Sequence, residues 1–325
     1  MYKNILLAII IAIITGCSAP KPEQAPSWYT NIPQDDKLFY AVGAADTIDK
    51  AKNNAIASMR ENLAEQIDNS FKEVTHKLLP IDNTILQNIF KQNLDISKKL
   101  FFKNITLANS QSFKGEKLVL ISISKQDLFK KLKIISDAQF LRTKQEYAVT
   151  RNSATLKRFI VLDELMEKFA HIASLAEYKT FLLSTYNSDD EFEFLKNMKN
   201  EYDRLKASIN IYVLTDSNSR IFSKIIKNSL NEKGLSTKNS FENEVSLKLL
   251  ITSETTQSQE YSFNQSKSLV KFTLFDKQKT LLSLRQHTFI GKSRKSYEDA
   301  KIQSAVYLKN KINKLGIFDF IGIEK

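Results

Sequence analysis

"LFYAVGAADTIDKAKNNAIASMRENLAEQIDNSFKEV", residues 38–74, holds a strand, a turn and a long helix in immediate succession. The apolar run over 38–45 predicts a buried strand that ends in a turn. Thr47 is suited to cap the helix, and Asp49 lies in its first turn, where a carboxylate stabilises the helix dipole. Apolar side chains then recur every three or four residues, which predicts one apolar helix face: Ile48, Ala51, Ala55, Met59, Leu63, Ile67, Phe71 and Val74.

The pattern after this helix predicts a second helix and two strands. Pro80 is expected to end the first helix, and residues 82–100 have the composition of another. Residues 101–113 and 116–124 are predicted to be strands joined by a turn at Gly115. This segment therefore completes a small domain of sheet and helix.

Residues 125–205 contain neither glycine nor proline, and strand signals are nearly absent. Three helices are predicted, at about 125–149, 155–186 and 189–206. The acidic turn from Asn187 to Asp190 is suited to cap the third helix. Together they predict a helical connector or stalk.

Residues 208–325 have the pattern of a second sheet-and-helix unit. Its predicted order is β-α-β-β-β-α, with a short additional strand near 235–240 and a closing helix from about Ser296 to Leu315. The long strands are predicted at 244–255, 260–275 and 279–291, in a mixed or antiparallel sheet covered by helices on one side. The apolar C-terminus "GIFDFIGIEK" is predicted to be a strand or tail packed on this sheet, with a peptide that docks on a partner as the alternative.

The predicted fold class is therefore α+β, with two small sheet-and-helix domains joined by the helical connector. The predicted segments are a signal peptide at 1–16, a tether at 17–27, a first domain at 28–135, the connector at 136–207 and a second domain at 208–325. The connector also offers a surface for self-association.

The start of the chain, "NILLAIIIAIITGCSAP", predicts export and lipidation. The apolar run over residues 5–14 follows Lys3 and is shorter than the roughly 20 residues that span a bilayer, so it is typical of a cleaved signal. The residues Ile14, Thr15, Gly16 and Cys17 resemble the lipobox of bacterial lipoproteins. That resemblance implies peptidase recognition at Ile14, Thr15 and Gly16, cleavage before Cys17, and a diacylglycerol thioether with further acylation, including palmitate, on Cys17. Ser18 follows where an Asp would favour the inner membrane, so the outer membrane is predicted.

Residues from about 26 to 135 resemble the LPP-twenty family of bacterial outer-membrane lipoproteins. The resemblance rests on a Pro-x-Trp start, Tyr-x-x-Gly at a strand end, and a helix of small residues leading to Arg-x-x-Leu-Ala. The matching positions are Pro26, Trp28, Tyr40, Gly43, Ala51, Ala55, Ala57, Arg60, Leu63 and Ala64. The resemblance implies a lipidated, non-enzymatic protein and supplies no catalytic residue. The family includes surface antigens and lipoproteins of the flagellar basal region.

Composition limits the classes of partner. The formal net charge is +12, but it comes mainly from lysine, whereas phosphate and base recognition favour arginine, so no nucleic-acid partner is expected. Weak attraction to an anionic envelope surface is the alternative consequence of this charge. Cys17 is the single cysteine, so once it is lipidated no disulfide or thiolate metal site is possible.

No cofactor, metal site or catalytic group is predicted. His76, His171 and His287 lie in separate segments, and none has a second histidine at metal-ligand spacing. The acidic clusters at 189–193 and 298–299 stand at predicted helix starts, where they favour the helix dipole more than paired catalytic carboxylates. The glycines are scattered and form no phosphate-binding loop.

The sequence predicts a non-enzymatic lipoprotein on the periplasmic side of the outer membrane that acts as a structural or assembly scaffold for other envelope proteins. The alternative is a transport or assembly accessory that binds a lipid or a polysaccharide. This alternative predicts an apolar groove within residues 208–325 with lysines at its rim. An enzyme acting on the cell wall is the third and weakest hypothesis.

Overall fold

The structure is a computed structural model that describes residues 24–74, 83–99, 102, 104–238 and 247–323. The helices are α1 Ser27–Thr30, α2 Ile48–Val74, α3 Asn83–Lys99, α4 Lys125–Val149, α5 Thr155–Leu182, α6 Asp189–Ser208, α7 Arg220–Glu232, α8 Tyr297–Leu315 and α9 Ile317–Ile321. The strands are β1 Leu38–Ala45, β2 Thr106–Phe113, β3 Glu116–Ser124, β4 Asn210–Thr215, β5 Ser236–Lys238, β6 Leu247–Glu260, β7 Phe263–Asp276 and β8 Leu281–Ser293. The chain combines separate sheets with flanking helices, which confirms the predicted α+β class.

The described residues form two compact units. The first unit contains residues up to 135 together with 177–187, and the second contains 136–176 and 188 onward. Residues of α4 and α5 are therefore divided between the units.

The first unit is built on the strand and helix of residues 38–74, whose predicted bounds are confirmed. Its sheet has the order β1-β3-β2, and every neighbouring pair is antiparallel. Leu38 pairs with Ser124 at one end of the β1–β3 ladder and Ala45 with Lys117 at the other. The apolar face of α2 packs on this sheet, and its side chains are fully buried from Ala51 to Phe71 at the predicted helical spacing.

The second unit contains a mixed sheet with the order β5-β4-β6-β7-β8. Strand β4 is parallel to β5 and β6, whereas the β6–β7 and β7–β8 pairs are antiparallel. One face of this sheet, here called the inner face, packs against α7, α8 and α9. Gly291 permits the close approach of α8, because a Cβ atom at this position would lie 1.8 Å from the Ala300 carbonyl oxygen.

The C-terminus differs from its predicted strand or tail. Gly316 ends α8 with a positive φ of 82°, and the next residues form the short helix α9. Ile317, Phe318, Phe320 and Ile321 are all buried. Their spacing places them on one side of a helical turn, so the expected packing is achieved by a helix instead of a strand.

Candidate functional site

The predicted lipidation site lies outside the described residues. This applies to Cys17 and to the peptidase-recognition residues Ile14, Thr15 and Gly16, so lipidation stays a prediction from the sequence. In the described part of the chain, every helix is too short or too polar to span a bilayer.

Several family-like residues of the first unit are packing residues, although Ala57 is exposed. A Cβ atom on Gly43 would lie 2.2 Å from the Ala51 carbonyl oxygen and 2.5 Å from the Ala55 backbone nitrogen. Ala51 and Ala55 are themselves fully buried. Strand β1 and helix α2 thus approach each other so closely that only small side chains fit at their crossing.

The later part of the same pattern also lies in the core. Leu63 and Ala64 are buried, and the Arg60 guanidinium lies over the Phe102 ring at 5.4 Å from its centroid. This geometry favours a cation–π contact. The pattern therefore reports how the first domain folds and places no reactive group in a cleft.

A buried polar cluster joins helices α2, α3 and α5 within the first unit. The Ser70 hydroxyl donates to the Glu177 carboxylate, and Tyr178 Oη donates to the Asn93 carbonyl oxygen at 2.6 Å. Burial raises the pKa of Glu177, although the hydrogen bond from Ser70 opposes this shift. The cluster is closed to solvent at Glu177 and Tyr178, so it connects helices and offers no binding surface there.

Neither histidine that the structure describes belongs to a cluster that could hold a metal ion. His76 lies outside the described residues, and His171 is half-buried on α5. The His287 ring stacks on Phe320 with 4.5 Å between centroids, and its Nε2 atom lies 2.8 Å from the Phe320 carbonyl oxygen. Burial lowers the pKa of His287, although the bond to Phe320 opposes the shift. Within the described ranges, no group of three or more His, Cys, Asp or Glu residues is arranged to hold a metal ion.

Both acidic clusters lie at helix starts, as predicted. Asp189, Asp190 and Glu191 occupy the first turn of α6, and Glu298 and Asp299 occupy the first turn of α8. A negative charge at these positions complements the helix dipole.

The second face of the C-terminal sheet, here called the outer face, is the strongest candidate for a functional surface. Successive side chains along each strand point alternately to the inner and the outer face, and none of those on the outer face is fully buried. Leu284 and Ile290 of β8 are 53% and 43% exposed. Further apolar members are partly exposed: Tyr212, Leu214, Leu250, Phe263, Leu269 and Phe275.

A groove of about 420 Å³ opens at one end of the outer face. Its apolar lining consists of Tyr212, Leu214, Leu247 and Phe275, and its charged lining of Lys248, Asp276, Lys277 and Lys279. This volume lies within the range of small-molecule sites, about 300–1,000 Å³. The alternative function, a lipid- or polysaccharide-binding accessory, predicts an apolar groove with lysines at its rim within residues 208–325, but the sequence did not identify the strands that would form it.

The comparisons with known proteins agree with the family resemblance. The profile of the LPP20 lipoprotein family, called LPP-twenty above, matches residues 26–124. No curated protein matches the chain.

Three solved structures resemble the chain at low identity. The secreted protein HP1454 from the human pathogen Helicobacter pylori is 12% identical with a TM-score of 0.37, and the alignment covers 89% of this chain and 100% of that one. A minor lipoprotein from Acinetobacter baumannii is 10% identical with a TM-score of 0.27, covering 35% and 94% of the two chains. Lipoprotein GNA1162 from Neisseria meningitidis is 15% identical with a TM-score of 0.23, covering 32% and 99%. At these TM-scores the likenesses carry no conclusion about this chain.

The family match rests instead on the sequence between Pro26 and Ser124, which contains the crossing of β1 and α2 and the whole β1-β3-β2 sheet. Over residues 26–124, about a third of its length, the chain therefore matches the LPP20 lipoprotein family, and this match supports a lipoprotein of the cell envelope.

Proposed function

We propose that the protein is a non-enzymatic scaffold, anchored by lipid on Cys17 to the outer membrane and facing the periplasm. The lipobox-like residues and the family match support the anchor. Ser18 supports the outer membrane, because it stands where an Asp would favour the inner membrane. The scaffold role is supported by the outer face of the C-terminal sheet in the second unit.

The outer face of the C-terminal sheet is the observation that carries this proposal. This face presents the exposed apolar residues Leu284 and Ile290 with the polar residues Gln286 and Thr288 between them, a mixture that suits a partly polar contact surface. Ile290 and Leu284 would remain largely in water unless a partner covered them. An envelope protein with an apolar contact surface fits this face, because its binding would remove these side chains from water.

Site-specific photo-crosslinking in intact cells tests the scaffold role. A photoreactive residue replaces Gln286 or Ile290 on the outer face, and matched controls replace Gln303 or Asn310, which are exposed on α8. The proposal predicts one discrete crosslinked envelope protein from positions 286 and 290 and a much weaker adduct from 303 and 310. Equal crosslinking from all four positions, or none from 286 and 290, would contradict it.

A second candidate function is an envelope transport or assembly accessory that binds a lipid or a polysaccharide. The groove between Leu214 and Phe275 favours it, because it combines apolar walls with lysine side chains. A scaffold needs no such concavity, so ligand binding in the groove would support this second function.

A further inference from the structure

We propose that the groove binds an acyl chain of an anionic lipid, with the lipid headgroup held by Lys248, Lys277 and Lys279. This assignment rests on the second candidate function and narrows its ligand to one chemical class. It is independent of whether the outer face also binds a protein.

The walls of the groove suit a hydrocarbon chain. Tyr212 and Leu214 come from β4 and Phe275 from the end of β7, so two apolar walls flank β6. Lys248 stands between them in the sheet, because it pairs with Tyr212 on one side and Phe275 on the other. Transfer of an acyl chain into this lining removes apolar surface from water on both partners.

The charges around the groove favour an anion. Lys248, Lys277 and Lys279 make no ion pair or side-chain hydrogen bond with another described residue. Asp276 is the acidic member of the lining, and its Oδ1 atom accepts a hydrogen bond from the Thr280 backbone nitrogen at 2.7 Å. This bond holds the turn between β7 and β8, so the carboxylate has a structural role there. Among the described lining residues, three ammonium groups against one carboxylate give an excess of positive charge beside the apolar walls.

Two of these lysines place positive charge at the exposed end of the groove, and the third rises between its walls. Lys277 and Lys279 lie in the exposed turn after β7, and Lys248 extends from the sheet. Long lysine stems can cover apolar surface while the ammonium groups stay in water. The arrangement therefore matches an amphiphile with an anionic head outside the groove and an apolar tail within it.

The apolar walls distinguish a lipid from a polysaccharide. A sugar chain presents hydroxyl groups that need hydrogen-bond partners, whereas the walls are formed mainly by Leu214, Leu247 and Phe275. An envelope lipoprotein lies among membrane lipids, so this ligand class is also available to it.

Photo-labelling of the full chain in a nonionic detergent tests the assignment. One probe is lysophosphatidylglycerol with a photoreactive acyl chain, and the second is lysophosphatidylcholine with the same chain but no net charge. Unlabelled glycerol 3-phosphate tests whether a phosphate without an acyl chain occupies the site. Mass spectrometry then locates the labelled peptides and measures their yield.

The assignment predicts that the anionic probe labels peptides containing Leu214 or Phe275 about tenfold more than the zwitterionic probe does. Combined Lys248→Gln, Lys277→Gln and Lys279→Gln substitutions are expected to remove this excess. Combined Lys224→Gln, Lys309→Gln and Lys314→Gln substitutions change the net charge equally at exposed lysines of α7 and α8 and are expected to leave it intact. Glycerol 3-phosphate alone is expected not to compete, because it has no acyl chain.

Any of three results would overturn the assignment: equal labelling by both probes, equal loss of the excess labelling in both triple variants, or competition by glycerol 3-phosphate. Leu214→Ser, at a partly exposed position, is expected to lower labelling of the same peptides with little effect on folding. Failure of this experiment would remove the lipid site while leaving the crosslinking test of the scaffold role unaffected.

Discussion

Gly43 shows how a single small residue fixes the packing of the first unit. An added methyl group would overlap the backbone of α2 at Ala51 and Ala55, and backbone atoms cannot move aside as a side chain can. We expect Gly43→Ala to lower the free energy of unfolding by about 1–3 kcal/mol, the usual cost of overpacking. Urea denaturation followed by the fluorescence of Trp28, the single tryptophan and a member of the first unit, measures the loss.

Ala44→Ser is the matched control for this change. Ala44 is partly exposed and precedes the end of the same strand, so one added atom is expected to change stability by less than about 0.5 kcal/mol. A Gly43→Ala protein as stable as the control would show that β1 and α2 are not in close contact.

Glu177 gives the first unit a stability that depends on pH. Its pKa is raised in the folded state, mainly by burial, so the folded protein binds this proton more tightly than the unfolded chain does. This contribution to stability is present below a pH of about 4.5, the pKa of Glu177 in the unfolded chain. It is lost as the pH rises through the higher pKa that Glu177 has in the folded protein. We therefore expect Glu177→Gln to be more stable than the natural protein at pH 8, with the difference shrinking toward pH 4.5.

Urea denaturation across this pH range, again followed by Trp28, measures the difference. Glu61→Gln, at an exposed position of α2, is the control and is expected to show no comparable dependence on pH. A stability difference for Glu177→Gln that stayed constant with pH would contradict the assignment of a raised pKa.

Residue roles were only partly predictable from the sequence. The small residues Ala51 and Ala55 were placed on the buried helix face because their spacing is helical, and this is confirmed. Their contact with Gly43 could not be derived, because a pattern along one helix does not say which strand crosses it. Glu177 gave no signal either, since a glutamate on a helix is ordinarily exposed.

Strands of the C-terminal sheet should tolerate substitution on one face and not on the other. Ile251 on β6 is fully buried on the inner face, whereas Ile290 on β8 is 43% exposed on the outer face. We expect Ile251→Ala to cost about 2–5 kcal/mol of unfolding free energy. Ile290→Ala should cost less than about 1 kcal/mol, because it leaves no cavity.

Thermal unfolding followed by circular dichroism compares these two variants, which remove the same atoms from the same residue type. Similar losses in both would mean that the outer face is covered within the folded chain, and the interaction surface proposed here would then not exist.

Most secondary elements follow from hydrophobic spacing, and the exceptions have identifiable causes. Strand β6 was predicted to end at residue 255 but continues to Glu260, because its polar end is held by pairing with β7 and not by burial. Tyr261 and Ser262 connect the two strands with positive φ angles of 46° and 67°. Such angles are typical of a type I′ hairpin turn, yet this pair lacks the Asn-Gly signal that would have revealed it.

The helix α9 was missed for a different reason. Five residues are too few to distinguish a helical spacing from an apolar run, and burial against the sheet decided the conformation. The position of the groove could not be predicted either. Its lining joins β4, β6 and the turn after β7, so its position depends on a strand order that the sequence does not determine.

The whole molecule combines a predicted lipid anchor with two sheet-and-helix units. The anchor depends on a few adjacent residues near Cys17, so the sequence alone suffices to propose it. The surface that a partner would cover is formed mainly by the consecutive strands β6, β7 and β8, and which of its faces stays exposed depends on where the helices pack. The proposed scaffold function requires both the anchor and this surface. The anchor would hold the outer face at the membrane, where other envelope proteins lie.

Anchoring through Cys17 is the central claim, and cell fractionation tests it most directly. The full chain is expressed with labelled palmitate, and membranes are separated on a density gradient for the natural protein, Cys17→Ala and the control Ser18→Ala. We predict labelled protein in the outer-membrane fraction for the natural chain and for Ser18→Ala, because multiple acyl chains make a stable anchor. Cys17→Ala should carry no label and leave that fraction. A Cys17→Ala protein that still fractionates with the outer membrane as the natural protein does would contradict the account.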